Sequence, residues 1–185
     1  MIIRMGQQNP QGIDRRSLLV RSGAIAAGAL GATVAGVAAA APAVAAVTPP
    51  AGLGYTPITP YRSFDSRPGQ DRIGAGFYFV VQVITDEIGD LLVPATAQAV
   101  TFNLTITQTA GPPGYLGVVP AGTPEESFTT SNINWVSAGL DLANGGTTKI
   151  AADAQTGPGS VIVYCDGVPA ASTHFIIDVT GYFSP

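Results

Sequence analysis

The chain has 185 residues, with eight Lys or Arg against twelve Asp or Glu, one cysteine and one histidine. A lone cysteine excludes an intramolecular disulfide. One Cys with one His also falls short of the ligand sets of structural zinc or an iron–sulfur cluster, so no cofactor is expected.

Residues 1–45 read as an export signal. They hold Arg4, Arg15, Arg16 and Arg21 with a single acid, Asp14. The run Asp14-Arg15-Arg16-Ser17-Leu18-Leu19 resembles the twin-arginine motif, with Asp14 where Ser or Thr is more usual. An uncharged stretch rich in Ala, Gly and Val follows as the signal helix, and Ala43-Val44-Ala45 supplies a small-residue cleavage site after Ala45. The stretch reaches the ~20 residues needed to span a bilayer. As a retained anchor it would be poor, because Gly23, Gly28, Gly31, Gly36 and Pro42 interrupt it. The expectation is a domain folded inside the cell, exported by the twin-arginine pathway, secreted or held at the cell surface, and touching membrane only through its signal.

The remainder keeps Arg62, Arg67, Arg72 and Lys149 against eleven acids, a net charge of −7. It lacks the clustered Lys and Arg that neutralise phosphates, which excludes nucleic acid as an expected partner. Residues 46–60 carry Pro49, Pro50, Pro57 and Pro60 and no charge, and read as an extended leader. Residues 61–185 then alternate short β-type runs with Gly, Pro and Asn.

Phe77–Thr85 is apolar on both faces and reads as a buried central strand. Ala99–Thr107 is the clearest strand: Val100, Phe102, Leu104 and Ile106 share one face, and Thr101, Asn103, Thr105 and Thr107 the other. Tyr115–Val119, Asn132–Val136, Thr147–Ala151, Ser160–Cys165 and His174–Val179 follow. Asn144-Gly145-Gly146 and Gly157-Pro158-Gly159 read as turns between some of them. Asp86–Leu92 allows one helical turn at most. The fold class is therefore all-β: a single antiparallel β-sandwich of about seven or eight short strands, with barrel-like closure as its variant.

These segments resemble a secreted β-module common in actinobacteria. The opening Pro60-Tyr61-Arg62-Ser63-Phe64-Asp65-Ser66-Arg67 is similar to its P-x-R-x-x-D-T-R start. Val93-Pro94-Ala95, Gly114-Tyr115-Leu116, Ser131-Asn132-Ile133-Asn134 and the closing His174–Phe183 match further parts in order. The resemblance implies an extracellular accessory or surface module and supplies no catalytic residues.

The residues leave several candidate constellations. Arg62, Asp65 and Arg67 open the domain and Asp178 lies in its last strand. They form either a polar binding site or, the preferred reading, an ion-pair clasp between first and last segments. Asp178 interrupts an apolar run, so as a buried charge its loss would cost several kcal/mol. Trp135, Tyr115, Tyr182 and Tyr61 could stack on sugars, or pack in the core. Cys165 and His174 could pair as a thiolate–imidazolium if their strands form a hairpin; an apolar strand around Cys165 favours an inert buried thiol. Asp86, Glu87 and Asp90 are a weak Ca²⁺ candidate with no matching loop spacing. No G-x-S-x-G elbow is present.

The expected function is a non-enzymatic, secreted or cell-surface module with a structural or adhesive role. The alternative is a module binding carbohydrate or cell wall, whose partner would be an extracellular polysaccharide. A small hydrolase ranks last.

Overall fold

The structure, a computed structural model, describes residues 2–4, 52–152 and 157–185. Arg15, Arg16, the signal helix and the cleavage site lie outside the described residues. The strands are β1 (Ile2–Arg4), β2 (Gly54–Asp65), β3 (Ile73–Gly74), β4 (Phe77–Gln82), β5 (Ala99–Ala110), β6 (Gly114–Pro120), β7 (Ile133–Trp135), β8 (Leu142–Lys149), β9 (Ser160–Gly167) and β10 (Ser172–Ser184). Among the described residues a short 3-10 turn, Glu125–Ser127, is the one helical element, and no helix is long and apolar enough to cross a membrane.

Two antiparallel sheets pack face to face. One runs β1-β4-β9-β6-β7 and the other β2-β10-β5-β8, with β3 added beside β10. They stay two sheets, so the fold is a sandwich and the barrel variant is not formed.

The period-two pattern of β5 decides how its sheet faces the core. Val100, Phe102, Leu104 and Ile106 point inward and are 3 % exposed or less. They meet Phe175, Ile177 and Val179 of β10, and across the sandwich Phe79, Val81, Leu116, Val163 and Cys165. Burying such side chains contributes roughly 1.5–3 kcal/mol each relative to exposure.

The apolar character of both faces of β4 has a different cause from the one read in the sequence. The strand is not central; among the described residues only the three-residue β1 lies beyond it. Its second face is covered because the outer side of the sheet carries its own cluster. There Phe128 stacks on Tyr164 at 4.6 Å and meets Tyr78 edge-on, with Val119, Ala121 and Ile162 around them.

Two boundaries also differ. β2 starts at Gly54, inside the stretch read as leader, and pairs with the end of β10 from Gly54↔Ser184 to Pro57↔Gly181. β2 is an edge strand, so Pro57 and Pro60 need donate no ladder hydrogen bond. The second is Asn144-Gly145-Gly146, which continues β8 instead of turning; Gly146 pairs with Phe102. A Cβ at Gly146 would lie 2.7 Å from the Phe102 ring. Glycine stands there because the aromatic ring occupies the space.

Candidate functional site

β2 and β10 pair so that Arg62 lies directly across from Asp178. The guanidinium forks onto the carboxylate, Nε donating to Oδ1 at 2.9 Å and Nη2 to Oδ2 at 3.3 Å. Its remaining nitrogen, Nη1, donates to Asp65 Oδ2 at 3.4 Å. Asp65 in turn accepts from the Arg67 backbone N–H at 3.0 Å and Arg67 Nε at 2.9 Å, both on Oδ1, and from Arg67 Nη2 on Oδ2. The four residues expected to cluster therefore do cluster, and the network ties the first long strand to the last.

The burial differs from expectation. Phe175, Ile177 and Val179 alternate inward, so Asp178 points outward and its side chain is 26 % exposed; the enclosed carboxylate is Asp65, at 6 %. Hydrogen bonding from the Arg67 side chain, foremost, holds the Asp65 carboxyl below its ordinary value. Asp178 is thus a solvated ion-pair partner, and the several-kcal/mol penalty of a buried unpaired charge does not apply to it.

The network sits on the outer face of the β2-β10-β5-β8 sheet. Beside it stand Thr101, Asn103, Thr105 and Thr107, opposite Thr147, Gly145, Ala143 and the start of β8. Asn103 Nδ2 donates to Thr105 Oγ1 at 3.2 Å, and Thr180 Oγ1 to Thr101 Oγ1 at 3.0 Å. Hydroxyls, one amide and the paired charges share this face with His174 and Ile176 of β10 and with the half-exposed Tyr55, whose hydroxyl lies 3.4 Å from Thr101 Oγ1 and whose ring meets Phe183 at 5.0 Å.

The four aromatic candidates do not form a platform. Trp135 is 1 % exposed, its indole N–H donating to the Ala110 carbonyl at 3.2 Å. Tyr61 packs against the inter-sheet core and donates its hydroxyl to the Val83 carbonyl at 2.7 Å, and Tyr182 also lies against that core. Tyr115 alone stands on the outer face of the other sheet. Its register partners are Asp166 on β9 and Asn134 on β7. Its hydroxyl donates to Asp166 Oδ2 at 3.0 Å. Burial first, then the Asp166 charge, raises the phenol's pKa, so it remains a protonated donor. Asn134 Nδ2 donates to Ser131 Oγ at 2.7 Å. This row of carboxylate, ring and amide spans about 10 Å across three strands.

Cys165 and His174 do not meet as a pair. β9 and β10 belong to different sheets, so the four residues 168–171 between them cross the sandwich instead of making a hairpin. The Cys165 thiol points into the core, fully buried, and burial pushes its pKa up to about 12. His174 Nδ1 lies 3.2 Å from Ser66 Oγ. Ser66 is itself buried, and its oxygen accepts the Phe175 N–H at 2.9 Å.

The Asp86–Asp90 segment is a turn. Asp86 Oδ1 accepts the backbone N–H groups of Ile88 at 3.0 Å and Asp90 at 2.9 Å. Among the described residues no group of three or more His, Cys, Asp or Glu comes together that could hold a metal ion. This removes the geometric basis of the Ca²⁺ candidate. A shallow groove of about 320 Å³ between residues 95–98 and 149–152 has Lys149 as its one ionisable lining group among the described residues.

Asp166 was missed in the sequence because it follows an apolar strand and resembles a loop acid. Its outward position after Ile162 and Tyr164 was the available signal. Ser66 was missed because its role is a contact with a strand more than a hundred residues away. Comparison with protein-family models, with characterised proteins and with solved structures finds no match for this chain.

Proposed function

We propose that this is an exported, non-catalytic β-sandwich module that works by surface contact, in a structural or adhesive role at or outside the cell envelope. The observation that supports it most is the division of chemistry between inside and outside. The nucleophile-bearing side chains Cys165 and Ser66 are enclosed, whereas the outer face of the β2-β10-β5-β8 sheet carries hydroxyls, an amide, mutually paired charges and the half-exposed Tyr55 ring. Such a face suits contact with another hydrated surface better than the enclosure of a substrate. The twin-arginine reading of residues 1–45 accords with a domain that needs no disulfide and is finished before export.

The test is retention of the purified protein on intact envelopes of the producing cells, compared with the Arg62→Ala/Asp178→Ala and Thr105→Lys variants. Saturable retention that these variants lower while the fold persists supports the reading. Retention equal for all three refutes it at this face. Export is tested by replacing Arg15 and Arg16 with Lys, which should trap the chain inside, and by N-terminal sequencing of the exported product, which should begin at Ala46.

A second reading, a polysaccharide-binding module, is favoured by the row Asp166–Tyr115–Asn134. An aromatic ring flanked by a carboxylate and an amide offers stacking and hydroxyl recognition together. Binding to wall polysaccharide, chitin or cellulose that Tyr115→Ala abolishes would select this reading over the first.

A further inference from the structure

The two sheets present four outer edges, and an open edge pairs with other strands unless it is protected. β2 is protected by Pro57 and Pro60, β7 has three residues, and β8 carries the Gly145-Gly146 pair and ends on Lys149. β4 has none of these devices: Phe77-Tyr78-Phe79-Val80-Val81-Gln82 contains no proline, no glycine and no charge. It is also anchored on both faces, Phe79 and Val81 in the inter-sheet core and Tyr78 and Val80 against the outer cluster. The Gln82 side chain bonds Ser160 Oγ and the Pro158 carbonyl, on the β9 side of the strand. The edge is thus a bulge-free, uncharged and mostly apolar template.

Among the described residues, the chain's own first residues cover the first half of this unprotected edge, Phe77–Phe79. β1 lies antiparallel on it, with Ile2↔Phe79, Ile3↔Tyr78 and Arg4↔Phe77. These residues belong to the segment read above as an export signal, and the inference rests on that reading: removal of residues 1–45 takes the covering strand away.

We propose that β4 is a strand-acceptor edge, closed in the precursor by the N-terminal strand and opened by signal removal, and that its occupant afterwards is the β4 edge of a second copy. An antiparallel β4–β4 pair is self-complementary about a two-fold axis, so the contact closes at a dimer. It would join the four strands β4-β9-β6-β7 of each copy into one continuous sheet. Like-charge repulsion is absent, and Tyr78 and Phe79 would form cross-strand aromatic pairs on their respective faces. The covering strand makes dimerisation wait for export, which suits a module acting through extended surfaces outside the cell.

The experiment compares the full chain with its Ile2→Pro/Ile3→Pro variant by sedimentation equilibrium. Successive amides of a strand point to opposite sides, so one of the two prolines removes an N–H facing β4 whichever way β1 is set. The wild-type full chain should be monomeric, and the variant should dimerise at least tenfold more tightly. Adding Val80→Lys to the variant should weaken that dimer at least tenfold. Amide hydrogen exchange over residues 77–82 should slow as the concentration of the Ile2→Pro/Ile3→Pro chain rises. This readout stands if Val80→Lys proves unable to fold. A monomeric proline variant whose 77–82 exchange is independent of concentration overturns the proposal. So does a wild-type full chain that dimerises as tightly as the variant, or a folded Val80→Lys protein with an unchanged dimer. N-terminal sequencing of the exported product tests signal removal separately, and envelope binding tests the contact role separately.

Discussion

Replacing Asp65 by Asn removes the charge at the centre of the ion-pair network. The carboxylate accepts hydrogen bonds from the Arg67 backbone N–H and from both guanidinium groups, at a side chain only 6 % exposed. Hydrogen bonds to charged groups contribute about 1.5–3 kcal/mol each. The two arginines are exposed enough to regain water when the charge is lost, so their bonds are largely refunded by solvent. The backbone N–H and the enclosed oxygens are not, and the expected cost is about 2 kcal/mol. For a domain of this size that lowers Tm by roughly 6–10 °C. Asp178→Asn breaks a fork between two partly solvated groups, and should cost about 0.5–1 kcal/mol, or roughly 2–5 °C. Differential scanning calorimetry on both variants at neutral pH measures the two shifts.

The pH dependence follows with a definite sign. The Asp65 pKa is lowered in the folded state, so its contribution is present above the unfolded value, about 4, and is lost as pH falls through the lower folded value. The gap between wild type and Asp65→Asn should be constant from about pH 5 to 8 and close below about pH 4. An Asp178→Asn shift equal to or larger than that of Asp65→Asn would refute the assignment of Asp65 as the enclosed hub. A gap that widens on acidification would refute its electrostatic origin.

Three further outcomes are expected. Cys165 should resist iodoacetamide at neutral pH in the native protein and react only on unfolding, because the thiol is buried with its pKa pushed up to about 12; fast native alkylation would contradict this. Trp135→Ala should destabilise by about 3–5 kcal/mol in chemical denaturation, as for a large buried aromatic, and Gly114→Ala should destabilise too, since its Cβ would lie 2.3 Å from the Trp135 ring; near-native stability of either would displace Trp135 from the core. Calcium at millimolar concentration should leave Tm unchanged, because Asp86 already receives two backbone N–H groups; a Tm rise abolished by Asp86→Ala would restore the cation reading.

The amino-acid pattern alone determined the fold class, and β5 shows why. Alternation over Val100–Thr107 requires one buried face and one polar face, whatever the partner, because side chains alternate along any strand. Composition alone likewise left no second cysteine for an intramolecular disulfide. The grouping of Arg62, Asp65, Arg67 and Asp178 was also legible, since charges at the two ends of a sandwich chain need partners.

What the pattern could not carry is which face a residue takes and which edge a strand occupies. Asp178 looked buried because its neighbours are apolar, yet a shift of one position in a strand exchanges inside for outside, and only the register with Arg62 decided it. Phe77–Thr85 looked central because both faces are apolar, and only the outer cluster around Phe128 explained them. Cys165 and His174, near in sequence, were separated by a crossing between sheets, while Tyr115, Asp166 and Asn134, far apart in sequence, were aligned by pairing. Local sequence sets the period of burial; the long-range pairing of strands sets its phase, its neighbours and its edges.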